Sequence, residues 1–170
     1  MTHVDFASGV IEGPGIVTAR RALADLGGLF ADQVALKTLD PSTVVYETYG
    51  YPEPVSGPPV LLAATTVLYP GHIGGEAFMT RGHFHVDPTR GESCFTLRGS
   101  GILLLRDQAG NEERVPMHPG SLAMIDGRFA HRVANVGDEP LVFLVTWMSD
   151  CGHDYAGVAA WPLGSWSVAV

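Results

Sequence analysis

Gly82-His83-Phe84-His85-Val86-Asp87-Pro88-Thr89-Arg90-Gly91-Glu92 is the stretch whose reading decides the fold. In an extended strand, residues two apart face the same side. His83 and His85 therefore project their imidazoles together, and Phe84 faces away. The loop over 86–91 is expected to bring Glu92 onto the neighbouring strand. Downstream, Pro119-Gly120 precedes His131 and Asn135, and His131 supplies a third imidazole from a strand further round. An isolated His-x-His is a weak metal signal, usually a surface or satisfied core feature. The added carboxylate and the distant imidazole make it specific. The other histidines are read differently: His3 is terminal, and His72 and His118 fall in apparent turns, so these three are expected to be solvated.

His83, His85, Glu92 and His131 make a borderline donor set suited to one divalent ion of Fe, Mn, Ni, Co or Zn. Four protein ligands on an octahedral ion leave two positions for water or a chelating substrate, the openness that a catalytic centre needs.

Working outward, short apolar runs alternate with turns. Residues 43–49 are rich in β-branched and aromatic side chains, 52–59 form a Pro-rich loop, and 60–69 read as a strand closed by Pro70-Gly71. Further strands are expected near 95–97, 101–106, 113–117, 121–125, 131–135 and 141–147. Such short, evenly spaced strands point to an antiparallel sandwich or barrel. The 21 glycines and 12 prolines fit that class better than a helical bundle. One helix is expected, over 18–31, where Ala22, Leu23, Leu26, Leu29 and Phe30 recur at helical spacing, weakened by Gly27-Gly28.

At 170 residues, with 46% hydrophobic and 16% charged residues, the chain suits one domain with a sizeable core. A net charge of −8 argues against nucleic acid and anionic membranes as partners. Lys37 is the sole lysine and sits in no motif, which disfavours Schiff-base chemistry. Cys94 and Cys151 are too few for a disulfide framework. No apolar stretch reaches the roughly 20 residues that span a bilayer, and the N-terminus lacks a signal-peptide pattern. A cytoplasmic setting is the expectation.

The spacing Gly82-His83-x-His85-(x)6-Glu92 with Gly99-x-Gly101, then Pro119-Gly120 to His131-(x)3-Asn135, resembles the paired cupin motifs. A closer resemblance lies in Thr65-Thr66-Val67-Leu68-Tyr69-Pro70-Gly71, Thr80-Arg81-Gly82-His83-Phe84-His85, His131-Arg132-Val133-Ala134-Asn135-Val136-Gly137-Asp138-Glu139-Pro140 and Gly152-His153-Asp154-Tyr155. With Val44-Val45-Tyr46-Glu47, these segments are similar to the cupin-type, chiefly archaeal glucose-6-phosphate isomerases over about residues 7–165. The resemblance implies an all-β jelly-roll barrel, its core about 43–155, with a short N-terminal helix in one cupin domain over 1–170.

It also implies a metal-dependent homodimer of glycolysis and gluconeogenesis that interconverts glucose 6-phosphate and fructose 6-phosphate. His83, His85, Glu92 and His131 match the metal ligands. Tyr46, Thr66, Thr80 and Gly82 match the region that holds the sugar phosphate, and His153 and Tyr155 match positions that close over the sugar. Moving a carbonyl from C1 to C2 by proton transfer needs a cis-enediolate, whose charge a metal stabilises. Glu92 is the leading base, with His153 sharing the task. A hydride shift is the mechanistic rival.

Two positions depart from the family: Cys94 and Trp147 stand where tyrosines are usual, so a sugar-binding hydroxyl is missing. The approach Asp126-Gly127-Arg128-Phe129 also differs, with Arg128 either offering charge to the phosphate or lying on the rim. Two alternatives share the ligand set, a cupin dioxygenase and a non-enzymatic sugar-phosphate-binding cupin. Thr65-Thr66, Thr80 and Gly-His-Asp-Tyr favour the isomerase.

Overall fold

The computed structural model describes residues 1–54 and 56–170. Its main strands are β1 (Val17–Ala22), β2 (Val44–Gly50), β3 (Leu61–Leu68), β4 (Phe84–His85), β5 (Glu92–Arg98), β6 (Gly101–Arg106), β7 (Glu112–Met117), β8 (Leu122–Ile125), β9 (Ala130–Asn135), β10 (Leu141–Met148) and β11 (His153–Asp154). A six-stranded antiparallel sheet has the order β8-β5-β10-β3-β2-β1. Facing it is the sheet β7-β6-β9. The pair β4–β11 extends this second sheet, because His83 bridges His131 and Met79 bridges Ala134. This is the expected cupin jelly roll, laid out as two facing sheets.

Alternation along each strand sorts the core. Thr66 and Leu68 on β3, Cys94 and Thr96 on β5, Phe143 and Val145 on β10 face Leu103 on β6 and Val133 on β9, and the buried members pack in one cluster. The central strand β3 is buried on both faces over most of its length. Its outer face is covered in part by the N-terminal segment, where the Ile11 N–H donates to Thr65 Oγ1 at 2.9 Å. Thr65 is thus a structural anchor, and Thr66 beside it faces inward.

The helix expected over 18–31 is corrected. Residues 17–22 form edge strand β1, paired with β2 in the register Arg21↔Tyr46 and Arg20↔Glu47. Only one helical turn, α1 (Leu23–Leu26), and a 3-10 turn at Gly27–Leu29 follow. Leu23, Leu26 and Phe30 do bury, as the periodicity required. Strand pairing captures the first five residues because the exposed edge of β2 offers a full ladder of backbone partners, and Gly27-Gly28 removes the incentive to propagate a helix. A second short helix, α2 (Gln33–Leu36), is capped by Asp32, whose side chain accepts the Val34 and Ala35 N–H groups. Within the Pro-rich stretch 52–59, the described residues carry no helix or strand, and Val55 lies outside the described residues.

Asn135 ties the second sheet to the first. It is 2% exposed, its Nδ2 donates to the carbonyls of Leu68 (2.8 Å) and Glu139 (2.9 Å), and its Oδ1 accepts the Gly137 N–H at 2.9 Å. Replacing it with alanine leaves the buried Leu68 carbonyl, the half-buried Glu139 carbonyl and the Gly137 N–H without that partner. Asn135→Ala is expected to destabilise the protein by about 2–4 kcal/mol in urea unfolding, and a loss under about 0.5 kcal/mol, the usual scatter for surface changes, refutes this role.

Candidate metal centre

Four side chains from three separate strands and one bridge position converge between the sheets. His83 precedes β4 and His85 ends it, Glu92 opens β5, and His131 lies in β9. One candidate ligand atom from each lies within 4.8 Å of all the others. The His85 and His131 Nε2 atoms each stand 3.5 Å from Glu92 Oε2. The His83 ring lies 5.6 Å from that of His85 and 4.4 Å from that of His131. All four residues expected to meet do so, by a route that differs in one respect: β5 is not the neighbour of β4 but belongs to the opposite sheet. The 86–91 loop therefore crosses between sheets, and the cluster is built across the core.

The donor atoms are oriented by their surroundings. His85 Nδ1 is 2.6 Å from the Arg90 carbonyl and His131 Nδ1 is 3.5 Å from that of Phe129. An imidazole that donates through Nδ1 keeps its lone pair on Nε2, aimed at the cluster. The Nε2 atoms of His83, His85 and His131 are buried and have no hydrogen-bond partner. Buried polar atoms are rarely left so, and three convergent ones beside a carboxylate fit a metal ion.

Electrostatics point the same way. Burial works to raise the Glu92 carboxyl, but the charge of His131 and the close approach of the His131 and His85 rings, each 3.5 Å away, outweigh it and hold the group ionised, below the usual carboxylate range. Burial, reinforced by His131 and His153, pushes His83 down to about 2, so its ring is neutral and available as a ligand. Burial also disfavours charged His85, yet the Glu92 carboxylate 3.5 Å away and the Arg90 carbonyl raise it overall.

Next to the cluster lies a cavity of about 170 Å³, lined by Tyr46, Thr66, Thr80, Gly82 and Tyr155 together with His83, Glu92 and His131. Every residue expected to hold the sugar phosphate is therefore on its wall. Gly82 adopts φ +75°, and a Cβ there would meet the Arg132 Nε at 2.9 Å and the Trp166 ring at 3.0 Å. Only glycine fits both conditions.

Gly152-His153-Asp154-Tyr155 has a local explanation. Asp154 caps α3 (Tyr155–Ala159), accepting the Ala156 and Gly157 N–H groups at 3.0 and 3.1 Å. The turn leaves His153 on β11, opposite His85, and Tyr155 at the helix start. The His153 ring lies 4.4 Å from that of His83, and the Tyr155 ring 5.5 Å from it. His153 Nδ1 also stands 3.3 Å from Glu53, and burial, partly offset by that carboxylate, holds its pKa below the ordinary value.

Cys94 lines the cavity beside Glu92, as alternation from Glu92 required, and burial, aided by Glu92, pushes its thiol up to about 12. Trp147 pairs directly opposite Glu92, with its Nε1 buried and without a partner. Arg128 does not line this cavity: its guanidinium is held by Asp126 at 2.6 Å, and it lines a separate cavity together with His85 and His153. His3, His72 and His118 are exposed, as expected. Thr48 and Arg81 were not singled out from the sequence yet line the cavity. Thr48 was legible two residues after Tyr46, on the same strand face.

The chain matches the profile of the family described as glucose-6-phosphate isomerase (GPI) over residues 20–162. It is 42% identical over 158 residues to the glucose-6-phosphate isomerase of Thermococcus onnurineus (strain NA1), covering 91% of this chain and 81% of that protein. The glucose-6-phosphate isomerase of Pyrococcus horikoshii is 43% identical over 160 residues, 92% of this chain and 82% of that one. Oxalate decarboxylase from Bacillus subtilis superposes with a TM-score of 0.49 and 24% identity, over 64% of this chain and 26% of that one. No helix among the described residues is long and apolar enough to cross a membrane. By the span of the family match and the identity to its named members, this chain belongs to the cupin-type glucose-6-phosphate isomerase family.

Proposed function

We propose that the protein interconverts glucose 6-phosphate and fructose 6-phosphate as a metal-dependent aldose–ketose isomerase. The observation that carries this reading is the convergence of three unpartnered, buried imidazole nitrogens on one buried carboxylate, in a member of this family. His83, His85, Glu92 and His131 would hold one divalent ion of Fe, Mn, Ni, Co or Zn. When bound, such an ion supplies Lewis acidity to the sugar oxygens O1 and O2, where negative charge develops.

The chain's own groups do the rest. Tyr46, Thr66, Thr80 and Gly82 bind the phosphate, and Tyr155 closes over the sugar. Burial raises the Tyr46 and Tyr155 phenols, so both remain protonated donors. Thr80 Oγ1 already accepts the Val133 N–H at 3.0 Å, which leaves its own proton to donate. Converting aldose to ketose moves one proton from C2 to C1 and one from O2 to O1. The Glu92 carboxylate, held ionised, takes the carbon-bound proton at C2 and returns it at C1. Since its Oε2 sits between two ligand imidazoles, the hydroxyl proton falls to His153, neutral through burial and stacked near Tyr155. The cavity wall beside Glu92, formed by Cys94, Leu103, Ile125, Phe143 and Val145, keeps this transfer dry. The homodimer implied by the family resemblance and the cytoplasmic setting expected from the sequence belong to the same proposal.

Chelation of the purified protein should abolish isomerisation in a coupled fructose 6-phosphate assay, and one or more of Fe²⁺, Mn²⁺, Ni²⁺, Co²⁺ or Zn²⁺ should restore it. Full activity in protein shown to be metal-free by elemental analysis would end this reading. His83→Ala is expected to weaken metal retention at least tenfold on dialysis; unchanged metal content removes His83 from the ligand set. Glu92→Gln should lower kcat about a hundredfold or more while sugar-phosphate binding persists, and a wild-type kcat in that variant rules out Glu92 as the base.

A further inference from the structure

The cavity has two electrostatically distinct ends. Glu92 is the only carboxylate among the described residues of its wall, and it belongs to the imidazole end. At the other end, around Tyr46 and Tyr155, stand the exposed Arg21 and Arg81, with the buried Arg132 also on the wall. The Arg81 guanidinium lies over the Tyr155 ring, 4.4 Å from its centroid, between the cavity-lining Thr80 and Gly82. Arg21 pairs directly opposite Tyr46 across the β1–β2 ladder, so it shares the cavity face of that strand. The charges of both reach the phenols of Tyr46 and Tyr155.

What separates these two from most other arginines is the lack of an internal counter-ion. Arg20, Arg90, Arg98, Arg106 and Arg128 each lie within 3.8 Å of a carboxylate. Arg21 and Arg81 have no such partner among the described residues, although acidic residues outnumber basic ones by 18 to 10. The contrast is sharpest within β1. Arg20 lies on the opposite sheet face and is neutralised by Glu47, while its neighbour Arg21, on the Tyr46 side of the strand, meets no carboxylate and donates through Nη1 to the Arg20 carbonyl at 2.8 Å. Arg132, buried and bonded to the carbonyls of Trp166 (2.9 Å) and Arg81 (2.6 Å), fixes the backbone at Arg81. Glu53, whose charge also acts on Tyr155, is engaged by His153.

We propose that Arg21 and Arg81 are specificity-determining residues that select a dianionic phosphomonoester over a neutral sugar. This deepens the isomerase reading above and rests on it. A protein of charge −8 repels a phosphate dianion at long range. Neutral donors from threonine, tyrosine and glycine can orient such a group but cannot offset that repulsion. Two unpaired guanidiniums at the cavity mouth do so, and they add charge-assisted hydrogen bonds. The metal end then needs to recognise only the reacting oxygens.

The test measures affinity of the metal-loaded protein for glucitol 6-phosphate, a sugar phosphate that lacks a carbonyl, by calorimetry. Arg21→Gln and Arg81→Gln are each expected to weaken binding about tenfold, and the double variant about a hundredfold, without change in metal content. Arg81→Lys should recover most of the loss, since it restores the charge but not the fork. Arg20→Gln, on the other face of the same strand, should bind as the wild type does. A double variant with wild-type affinity, or an Arg20→Gln loss as large as that of Arg21→Gln, overturns the inference while the wild type still isomerises fructose 6-phosphate. A wild type that neither isomerises nor binds the probe would instead bring down the isomerase reading itself.

Discussion

A carboxylate buried between two sheets has to be compensated, and the rest of the structure is arranged around that need. Taking Glu92 out of water costs several kcal/mol unless cationic or hydrogen-bonding partners replace the lost solvation. The compensation comes from His85 and His131, each 3.5 Å away on the opposite sheet. Their own positions are set by carbonyl contacts at Nδ1, which leave Nε2 directed inward. Three such nitrogens lack partners, and with Glu92 they form a set that could hold a metal ion.

Holding those atoms together requires the two sheets to be locked in register with each other. The His83–His131 bridge joins the ligand strands directly. Asn135, four residues along β9 from His131, ties the second sheet to the end of β3. Asp154, by capping α3, turns the chain so that His153 and Tyr155 both reach the site. Each of these is a short polar contact whose effect is positional. The apolar wall formed by Leu103, Phe143 and Val145 supplies burial and a low local dielectric, which strengthens every charge interaction beside it.

The two departures from the family now have a physical description. Cys94 puts a small, protonated thiol on the wall beside Glu92 where relatives are expected to present a phenol. A thiol donates weakly and does not reach as far. Trp147, opposite Glu92, carries an indole N–H without a partner in the chain. The cavity wall around Glu92 therefore offers a buried thiol rather than a phenol at Cys94.

The sequence by itself determined the strand-rich architecture and the identity of the four candidate ligands, because strand alternation and the His-x-His…Glu spacing are local properties of the chain. It also determined that Cys94 shares a face with Glu92, for the same reason. Residues 18–22 were misread as helix because their composition satisfies both periods, and only the exposed edge of β2, contributed by residues 25 or so positions later, selects the strand. The crossing of the 86–91 loop between sheets was equally hidden, since adjacency in sequence does not reveal which sheet a strand joins. Tertiary structure alone decided which arginines are neutralised. Arg20 and Arg21 are chemically identical neighbours, and it is the pairing of β1 with β2 that gives one a carboxylate and leaves the other, on the Tyr46 side of the strand, without one.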